Sequence, residues 1–286
     1  MTRPLLIAGA GGMLGHALRI VCEQSERGFF APVESEFDIT DAVEVSRVVG
    51  SFAALHPDGV LVNAAAYTNV EKAEDEPERA FAVNETGARL LAQAAARGGL
   101  PFVHVSTDFV FDGAKPAPYR EYDETGPLSV YGRSKLAGEQ AVYEAHPRAL
   151  IVRTAWVFGP FGANFPTKII ERARASSELS VVTDEIGSPT YTLDLAAGIL
   201  ALLDAKARGT FHLAGSGSCS RYEMALEVLR LAGLESVAVT PVSASAFPSK
   251  APRPANSVLD CSKARSVGVT MPEWRDALAR FVPTAL

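Results

Sequence analysis

The sequence predicts an α/β protein, in which a doubly wound parallel sheet is followed by a smaller C-terminal α/β lobe. Short apolar runs typical of buried strands alternate with helical patterns, and the first run ends at a glycine-rich turn. This even alternation breaks after about residue 155. With 286 residues the chain is long enough for one large domain and a smaller partner.

The composition is that of an ordinary globular protein, with 48% hydrophobic and 21% charged residues. The net charge of -6 argues against a general surface for nucleic acids or acidic membranes, so we expect neither partner. The apolar run near the amino terminus, about five residues, is too short for a secretory core or a membrane span. Three dispersed cysteines favour reduced thiols, and five histidines show no metal-ligand spacing. We therefore expect a cytoplasmic protein without a bound metal.

The first strand and the turn after it carry a phosphate-binding pattern. The apolar residues 5–8 stop at Gly9, and Gly12 and Gly15 follow while a helical pattern begins at Leu14. Glycines allow a tight turn and a close approach to a pyrophosphate, and the free amide groups of the helix start favour its negative charge. This strand, turn and helix predict a dinucleotide site of Rossmann type. A plain strand-to-helix turn is the alternative interpretation.

A second strand is predicted at residues 29–33 and ends next to Glu34. In a dinucleotide site, a carboxylate at this place binds a ribose diol and repels a 2′-phosphate. Glu34 therefore favours NADH over NADPH. The alternative is a solvated charge in a loop.

The next elements deliver polar residues to the same edge of the sheet. A helix is predicted at residues 41–55, a strand at 59–66, a helix at 77–97 and a strand at 102–105, followed by Ser106, Thr107 and Asp108. The ligand crevice of a doubly wound sheet lies at the carboxyl ends of its strands, where Thr107 and Asp108 fall. Serine, threonine and aspartate also suit simple turns and helix caps, which is the alternative.

A long loop at residues 109–130 leads into a helix that carries Tyr131 and Lys135. Residues four apart on a helix share a face, so the phenol and the ammonium group can converge. A free tyrosine titrates near ~10, and a nearby positive charge lowers its pKa, which makes it a better proton donor at neutral pH. A solvated helix face is the alternative for such a spacing.

The second half of the chain is less regular. We predict strands at residues 150–153 and 209–213, helices at 164–175, 192–203, 221–231 and 271–281, and an irregular proline-containing loop at 243–256. We expect residues 1–155 with about 190–215 to form the dinucleotide-binding domain, and about 156–189 with 216–286 to form a substrate-binding lobe.

With these residues in place, the chain resembles the extended short-chain dehydrogenase/reductase superfamily and, within it, the dTDP-4-dehydrorhamnose reductases. The resemblance covers the chain from Gly9 to about residue 264. The stretches that carry it are residues 63–74, 106–113, 130–139, 153–159, 187–190 and 253–257. The glycine turn alone would be weak support, but these stretches occur together and in order.

The resemblance implies that the chain reduces the C4 ketone of dTDP-4-dehydro-L-rhamnose with a nicotinamide cofactor. Tyr131 would protonate the keto oxygen, Thr107 would hydrogen-bond it, and Lys135 would lower the tyrosine pKa and hold the nicotinamide ribose. The resemblance places Gly9, Gly12, Met13 and Leu14 along the pyrophosphate. It places Asp38 and Ile39 near the adenine, and Ala64, Ala65 and Ala66 along the ribose. Against the nucleotide sugar it places Val70, Asp108, Trp156, Asn164 and Arg253.

Two of these positions carry further expectations. Arg253 suits a diphosphate, whereas Trp156 has ordinary core packing as its alternative. The chain also departs from the family at two places. Many members have an arginine where this chain has Glu34, and some have a magnesium-binding glutamate where it has residues 16–18, His-Ala-Leu. We therefore expect NADH or NADPH as cofactor, with NADH favoured, and no magnesium-bridged dimer, although a homodimer of another kind stays open.

Three alternative functions remain at this stage. The same chemical residues serve reduction of another nucleotide-linked 4-keto-6-deoxy sugar, with different stereochemistry at C4. A related epimerase is a second alternative, which Ser106, Thr107 and Asp108 fit less well. A non-catalytic regulatory subunit of the methionine adenosyltransferase type is a third, and the retention of Thr107, Tyr131 and Lys135 weakens it.

Overall fold

The structure, a computed structural model, describes residues 2–286 and is organised around a six-stranded parallel sheet. In chain order the strands are β1 (Leu5–Ala8), β2 (Phe29–Phe30), β3 (Val60–Asn63), β4 (Phe102–Thr107), β5 (Leu150–Thr154), β6 (Val157–Phe158), β7 (Glu178–Val182), β8 (Ile186–Gly187), β9 (Thr190–Tyr191), β10 (Gly209–His212), β11 (Cys219–Ser220) and β12 (Ala238–Val242). The sheet has the order β10-β5-β4-β3-β1-β2, and each neighbouring pair in it is parallel.

Helices cover both faces of this sheet. In chain order they are α1 (Met13–Gln24), α2 (Ala42–Leu55), α3 (Val70–Ala73), α4 (Pro77–Phe81), α5 (Ala88–Arg97), α6 (Val130–Ala145), α7 (Phe165–Ala175), α8 (Thr192–Asp204), α9 (Arg221–Leu231), α10 (Ser262–Ser266) and α11 (Trp274–Phe281). Helices α1 and α8 bury apolar residues against one face, and α2, α5 and α6 bury theirs against the other. Strands buried on both faces are typical of parallel sheets. The predicted α/β fold with a doubly wound sheet is confirmed.

The strand register brings the predicted site residues to one edge. Ala8 of β1 pairs with Asn63 of β3, and Thr107 of β4 pairs with Thr154 of β5. The residues that follow these strands therefore lie together at the carboxyl end of the sheet. Strand order reverses between β1 and β3, and such a switch point is where doubly wound sheets bind their ligands.

A third apolar core lies outside the main sheet. It is built from buried residues of α7, α9 and α11, with Trp274, Phe158 and Phe281 among the largest side chains. Strands β7 and β12 pair in parallel beside it. Within residues 2–286, the structure contains no helix long and apolar enough to cross a membrane.

Several elements differ from the prediction. β2 ends at Phe30 rather than at residue 33, because Pro32 has no amide hydrogen to continue the pairing. The predicted helix at residues 77–97 contains a π-helical segment, Ala82–Gly87. The last helix begins at Trp274 rather than at residue 271, since Pro272 precedes Glu273, whose side chain caps the helix. The two-residue strands and the short helices α3 and α10 are too short to leave a periodic pattern.

Candidate active site

The glycine turn after β1 packs against the segment that follows β3. Gly9 has a φ of +83°, in the left-handed region, and a β-carbon there would lie 2.4 Å from the Ala65 amide nitrogen. A β-carbon on Gly15 would lie 2.2 Å from the Gly9 carbonyl oxygen. Side chains at these two positions would force the turn apart. The turn and the predicted cofactor residues Ala64 and Ala66, which flank Ala65, therefore share one narrow edge of the sheet.

The start of α1 offers amide groups to an anion. Gly12 is its N-cap, and among residues 2–286 no side chain caps this helix start and no acidic residue lies in its first turn. A helix start of this kind favours a phosphate. Met13 is half-buried against Gly162, whereas the Leu14 side chain packs in the core and leaves only its backbone for a ligand. The turn and the helix start together fit the pyrophosphate of a dinucleotide.

Two buried polar side chains order the segment after β3. The Asn63 side-chain oxygen accepts a hydrogen bond from the Ala65 amide at 3.0 Å, and its amide nitrogen lies 3.1 Å from Nδ1 of His104. Burial, assisted by the charge of Lys135, holds the pKa of His104 well below its usual value. The neutral ring can therefore accept the hydrogen bond from Asn63 at Nδ1.

The three predicted residues on the adenine side follow β2. Glu34 is exposed in a turn. Asp38 is also exposed, and one of its carboxylate oxygens accepts hydrogen bonds from the amide and the hydroxyl of Thr40, at 2.8 and 2.7 Å. Ile39 is buried and packs close to Gly87. The carboxylates of Glu34 and Asp38 are thus accessible from solvent, whereas the Ile39 side chain is packed in the core.

Thr107 and Asp108 lie buried where β4 reaches the crevice. The Thr107 hydroxyl donates to Asp108 Oδ1 at 2.8 Å, while Asp108 Oδ2 has no hydrogen-bond partner among residues 2–286. Burial raises the pKa of Asp108, and the nearby Ser257 and Thr107 hydroxyls and the charge of Arg221 act in the opposite direction. The Thr107 hydroxyl must rotate away from Asp108 before it can donate to a substrate oxygen.

Helix α6 brings Tyr131 and Lys135 to the same crevice. Its start is capped by Ser129, whose hydroxyl accepts a hydrogen bond from the Gly132 amide at 3.1 Å. The Tyr131 ring packs edge-on against Phe109, with 5.4 Å between the ring centroids. Lys135 is buried, and its Nζ donates to the Val105 carbonyl at 2.7 Å. The structure thus places the phenol, the ammonium group and Thr107 at the end of β4, as the sequence predicts for the chemical step.

The pKa of Tyr131 differs from the expectation. Burial and the charge of Asp108 raise it to about 12, against the opposing effect of the Thr107 hydroxyl, so the net shift is opposite in direction to the one expected from Lys135. The physical reason is that burial dominates, and that the ammonium group is held at the Val105 carbonyl. Burial also lowers the pKa of Lys135 to about 8, which the charge of Glu139 opposes. Tyr131 is therefore fully protonated at neutral pH.

A chain of hydrogen bonds supports the turn that carries Tyr131. Asn84, in the π-helical segment, donates to the Ser134 hydroxyl at 2.9 Å, and Ser134 donates to the Tyr131 carbonyl at 2.9 Å. A β-carbon on Gly138 would lie 2.1 Å from the Asn84 carbonyl oxygen, so α6 approaches this segment closely. The π-helical geometry and the glycine thus hold α6 against the sheet.

Val70, Trp156 and Asn164 are three of the predicted substrate residues. Val70 begins α3 and is half-buried. Trp156 has a φ of +45°, and its indole packs against Gly187. Asn164 lies differently from the expectation. Its side chain donates to the carbonyls of residues 159 and 162, at 2.8 and 3.0 Å, and accepts from the amide of residue 167 at 3.2 Å. The bond from residue 167 caps α7 and the other two hold the loop before it, so both side-chain N–H donors of Asn164 are used within the chain.

Arg253 lies in the predicted loop at residues 243–256 and is paired with a carboxylate. Its guanidinium group is 2.7 Å from Glu71, and Lys250 in the same loop is 2.7 Å from Asp75. Both pairs are largely exposed, so each contributes little to the free energy of folding. Arg253 can therefore exchange Glu71 for a diphosphate at low energetic cost.

Comparison with known proteins decides the family. The profile of a family described as "RmlD substrate binding domain" matches residues 2–286. The chain belongs to the RmlD family. This RmlD-family chain is 45% identical over 282 residues to a Mycobacterium tuberculosis protein named dTDP-4-dehydrorhamnose reductase. The alignment covers 96% of this chain and 91% of that protein. The predicted resemblance is confirmed.

Two further relatives bear on the site of this RmlD-family chain. The crystal structure of a dTDP-4-dehydrorhamnose reductase from Bacillus anthracis in complex with NADP has a TM-score of 0.94 at 37% identity, covering 99% of this chain and 100% of that chain. A Streptomyces antibioticus protein named "Probable dTDP-4,6-dihydroxy-2-methyloxan-3-one 4-ketoreductase" is 40% identical over 286 residues, covering 98% of this chain and 95% of that protein.

The structure of this RmlD-family chain also places residues at the site that the sequence did not single out. Arg221, which the sequence marks only as part of an amphipathic helix, stacks on Trp156. Glu139 and Arg153 form a buried ion pair one turn beyond Lys135. Acidic and basic residues are common on helices and strands. Whether one of them has a role at the site therefore depends on its burial and on partners that are distant in sequence.

Proposed function

We propose that this chain is a dTDP-4-dehydrorhamnose reductase, which reduces the C4 ketone of dTDP-4-dehydro-L-rhamnose to dTDP-L-rhamnose with NADH or NADPH. The observation that carries the proposal is the position of Thr107, Tyr131 and Lys135 together at the carboxyl end of β4, on the same sheet as a turn fitted to a dinucleotide. The relatives that bear this name support the choice of substrate.

The residues of the chain have distinct parts in this reaction. A bound nicotinamide cofactor supplies the hydride that reaches C4. Tyr131, protonated at neutral pH, donates its proton to the oxygen as negative charge develops there. The Thr107 hydroxyl donates a second hydrogen bond to the same oxygen, and the buried ammonium group of Lys135 adds a positive charge to the site and would hold the nicotinamide ribose. Burial of Lys135 strengthens this electrostatic effect because little water screens it.

The proposed function is tested with purified protein and a panel of nucleotide-linked 4-keto-6-deoxy sugars. We expect dTDP-4-dehydrorhamnose to give the highest kcat/KM for oxidation of NADH or NADPH, with the L-rhamno configuration in the product. Absence of turnover with either cofactor would exclude the reductase. A higher kcat/KM for another 4-ketone, or the other configuration at C4, would favour the alternative that the Streptomyces antibioticus relative represents.

The non-catalytic alternative makes a different prediction for the same protein. A regulatory subunit of the methionine adenosyltransferase type would bind a dinucleotide and turn over none of the panel. The Tyr131 phenol beside the Thr107 hydroxyl and the buried carboxyl group of Asp108, whose pKa is raised, favour an enzyme.

The cofactor preference depends in our proposal on Glu34. We expect Glu34→Arg to shift the ratio of kcat/KM values for NADPH and NADH toward NADPH by roughly 10-fold or more, because an arginine binds a 2′-phosphate that a carboxylate repels. Glu171→Arg makes the same change of charge at an exposed site on α7 and should leave the ratio unchanged. An unaltered ratio in Glu34→Arg would remove Glu34 from this role.

The pH dependence of the reaction follows from two titratable groups of α6, Tyr131 and Lys135. The pKa of Lys135 is lowered to about 8, so its charge is present below that pH and is lost as the pH rises through it. The pKa of Tyr131, about 12, keeps the phenol protonated over this whole range. We therefore expect kcat/KM for ketone reduction to be level at neutral pH and to fall above a pH of about 8. A level profile up to pH ~10 would contradict this assignment.

We further propose a cytoplasmic enzyme with two parts. Buried free thiols at Cys22 and Cys219 and a half-buried one at Cys261 support a reducing compartment. The separate apolar core around α7, α9 and α11 supports the division into a dinucleotide-binding domain and a substrate-binding lobe. Sedimentation of the purified chain would decide between a monomer and a homodimer.

A further inference from the structure

Arg221 is the first residue of α9 and lies beside the predicted substrate residue Trp156. Strand β11 immediately before it pairs with β8, where Cys219 is opposite Gly187, the residue on which the indole packs. Ser220 and Glu223 form a capping box that fixes the start of α9. The position of the Arg221 backbone is therefore set by a strand pair and a helix cap.

The Arg221 guanidinium group lies flat on an aromatic surface. Its central carbon is 3.4 Å from the Trp156 ring centroid and 5.1 Å from that of Phe165. The side chain is only 21% exposed, and its Nε is 3.6 Å from Glu185, too far for a hydrogen bond. Stacking uses the face of a guanidinium group and leaves its five N–H donors at the edge. Among residues 2–286, no side chain accepts a hydrogen bond from them.

A buried arginine with a purely structural role has a different set of contacts in this chain. The Arg153 guanidinium donates two hydrogen bonds to Glu139, at 2.8 and 2.6 Å, which satisfy its charge. Arg221 is 21% exposed and makes no such hydrogen bonds, since its one ion pair, with Glu185, is 3.6 Å long. The donors of a largely covered guanidinium group are normally hydrogen-bonded, so those of Arg221 are available to an acceptor that is not part of the chain.

The charges around Arg221 indicate the chemistry of that acceptor. Burial lowers the pKa of Arg221 to about 10, the charges of Glu185 and Asp108 oppose this shift, and the charge of Arg253 adds to it, so the group remains positive at neutral pH. The residue next to Thr107 and the arginine expected at the diphosphate are thus both near enough to act on Arg221. Two like charges close together repel each other unless an anion lies between them. In a nucleotide-linked sugar the diphosphate is bonded to the sugar. A sugar that reaches Thr107 would therefore bring its diphosphate toward Arg221 and Arg253.

We propose that Arg221 is a substrate-binding residue, which holds the diphosphate of the nucleotide sugar together with Arg253 while it stacks on Trp156. The proposal rests on the proposed function for the identity of the substrate. It gives Trp156 a definite task, since the indole orients the guanidinium edge. It also gives a reason for Gly187, where a β-carbon would lie 2.2 Å from the Trp156 ring.

The test compares ligands with and without a diphosphate. We would measure by calorimetry the affinities of wild-type protein, Arg221→Gln and Arg221→Lys for thymidine diphosphate and for thymidine. We expect Arg221→Gln to weaken thymidine diphosphate binding by roughly 10-fold or more and thymidine binding little, because hydrogen bonds to charged groups are the strong ones. Arg221→Lys keeps the charge but loses the planar guanidinium group. Its affinity for thymidine diphosphate should therefore lie between those of the wild type and Arg221→Gln. In turnover, KM should rise more than kcat falls.

The matched control is Arg275→Gln, because Arg275 also stacks on a tryptophan, Trp274, at 4.2 Å, yet is largely exposed. It should leave both affinities unchanged. The affinity for NADPH reports whether each variant is folded. If Arg221→Gln does not bind NADPH, the test is decided by the affinity of Arg221→Lys for thymidine diphosphate. Wild-type affinity for thymidine diphosphate in the folded variants, or a fall in kcat alone, would overturn the proposal. Failure of the proposed function appears separately, as absence of turnover by the wild-type protein.

Discussion

Tyr131→Phe is expected to lower kcat for ketone reduction by at least about 100-fold, since general acid catalysis contributes about 10²–10⁴-fold. The substitution removes one oxygen and keeps the ring that packs against Phe109. The buried phenol is protonated at neutral pH because its pKa is raised to about 12. Without it, Thr107 alone can donate to the keto oxygen, and the charge that develops there lacks its proton source. Cofactor affinity should remain within a few-fold of the wild type, since the glycine turn is untouched.

The matched control for this variant lies on the same helix. Tyr143 on α6 is half-buried, and its hydroxyl lies 2.7 Å from that of Thr210, outside the crevice. Tyr143→Phe should leave kcat close to that of the wild type. Single-turnover measurements with premixed enzyme and cofactor would separate the chemical step from product release. A single-turnover rate close to the wild-type rate in Tyr131→Phe would assign the proton to another donor, and buried Asp108 would be the next group to test.

The central sheet could be predicted from the sequence because its strands are buried on both faces. Residues 5–8, 60–62 and 150–152 are buried, so each appears as an unbroken apolar run between helical patterns. The helix starts at Asp41 and Ser129 carry side-chain caps, and such capping residues are visible in a sequence. The placement of Thr107 and Tyr131 followed from the same rule about carboxyl ends of parallel strands.

Features that depend on distant partners could not be predicted. The π-helical segment is tied to Asn84, whose bonds reach Tyr67 and Ser134. The pKa of Tyr131 was expected to be lowered by Lys135, but burial outweighs a charge that is directed to the Val105 carbonyl. Helical spacing shows that two side chains share a face, whereas it shows neither the depth at which they lie nor the direction of a flexible ammonium group.

One arginine and one amide of the substrate side show the same limit. The resemblance places Asn164 against the nucleotide sugar, yet its side-chain nitrogen donates to the carbonyls of residues 159 and 162 and its side-chain oxygen caps α7. Arg221 has no distinguishing sequence context, yet it stacks on Trp156 inside the crevice. A residue type at a position gives the available donors and charge, and only the three-dimensional neighbours show whether those donors are already used.

The buried ion pair between Glu139 and Arg153 is expected to dominate the stability of the region under the active site. Both side chains are nearly inaccessible, 4% and 6% exposed, and two hydrogen bonds of 2.6 and 2.8 Å join them. Glu139→Gln removes the charge that compensates the Arg153 guanidinium group and keeps the volume. The free energy of unfolding should therefore fall by about 3 kcal/mol or more, because an uncompensated charge remains buried. Urea denaturation of the variant and the wild type measures the difference.

A second variant distinguishes the loss of the pair from the loss of one partner. Glu139→Leu combined with Arg153→Met replaces the pair by apolar side chains, and it should recover most of the stability, since buried pairs gain little over well-packed apolar groups. Glu227→Gln is the control, because Glu227 pairs at 2.7 Å with Arg230, which is 58% exposed; this change should matter by less than about 1 kcal/mol. A double variant as unstable as Glu139→Gln would show that the pair itself, rather than the unpaired charge, stabilises the fold. Because Glu139 also raises the pKa of Lys135, Glu139→Gln should move the alkaline fall in kcat/KM to lower pH.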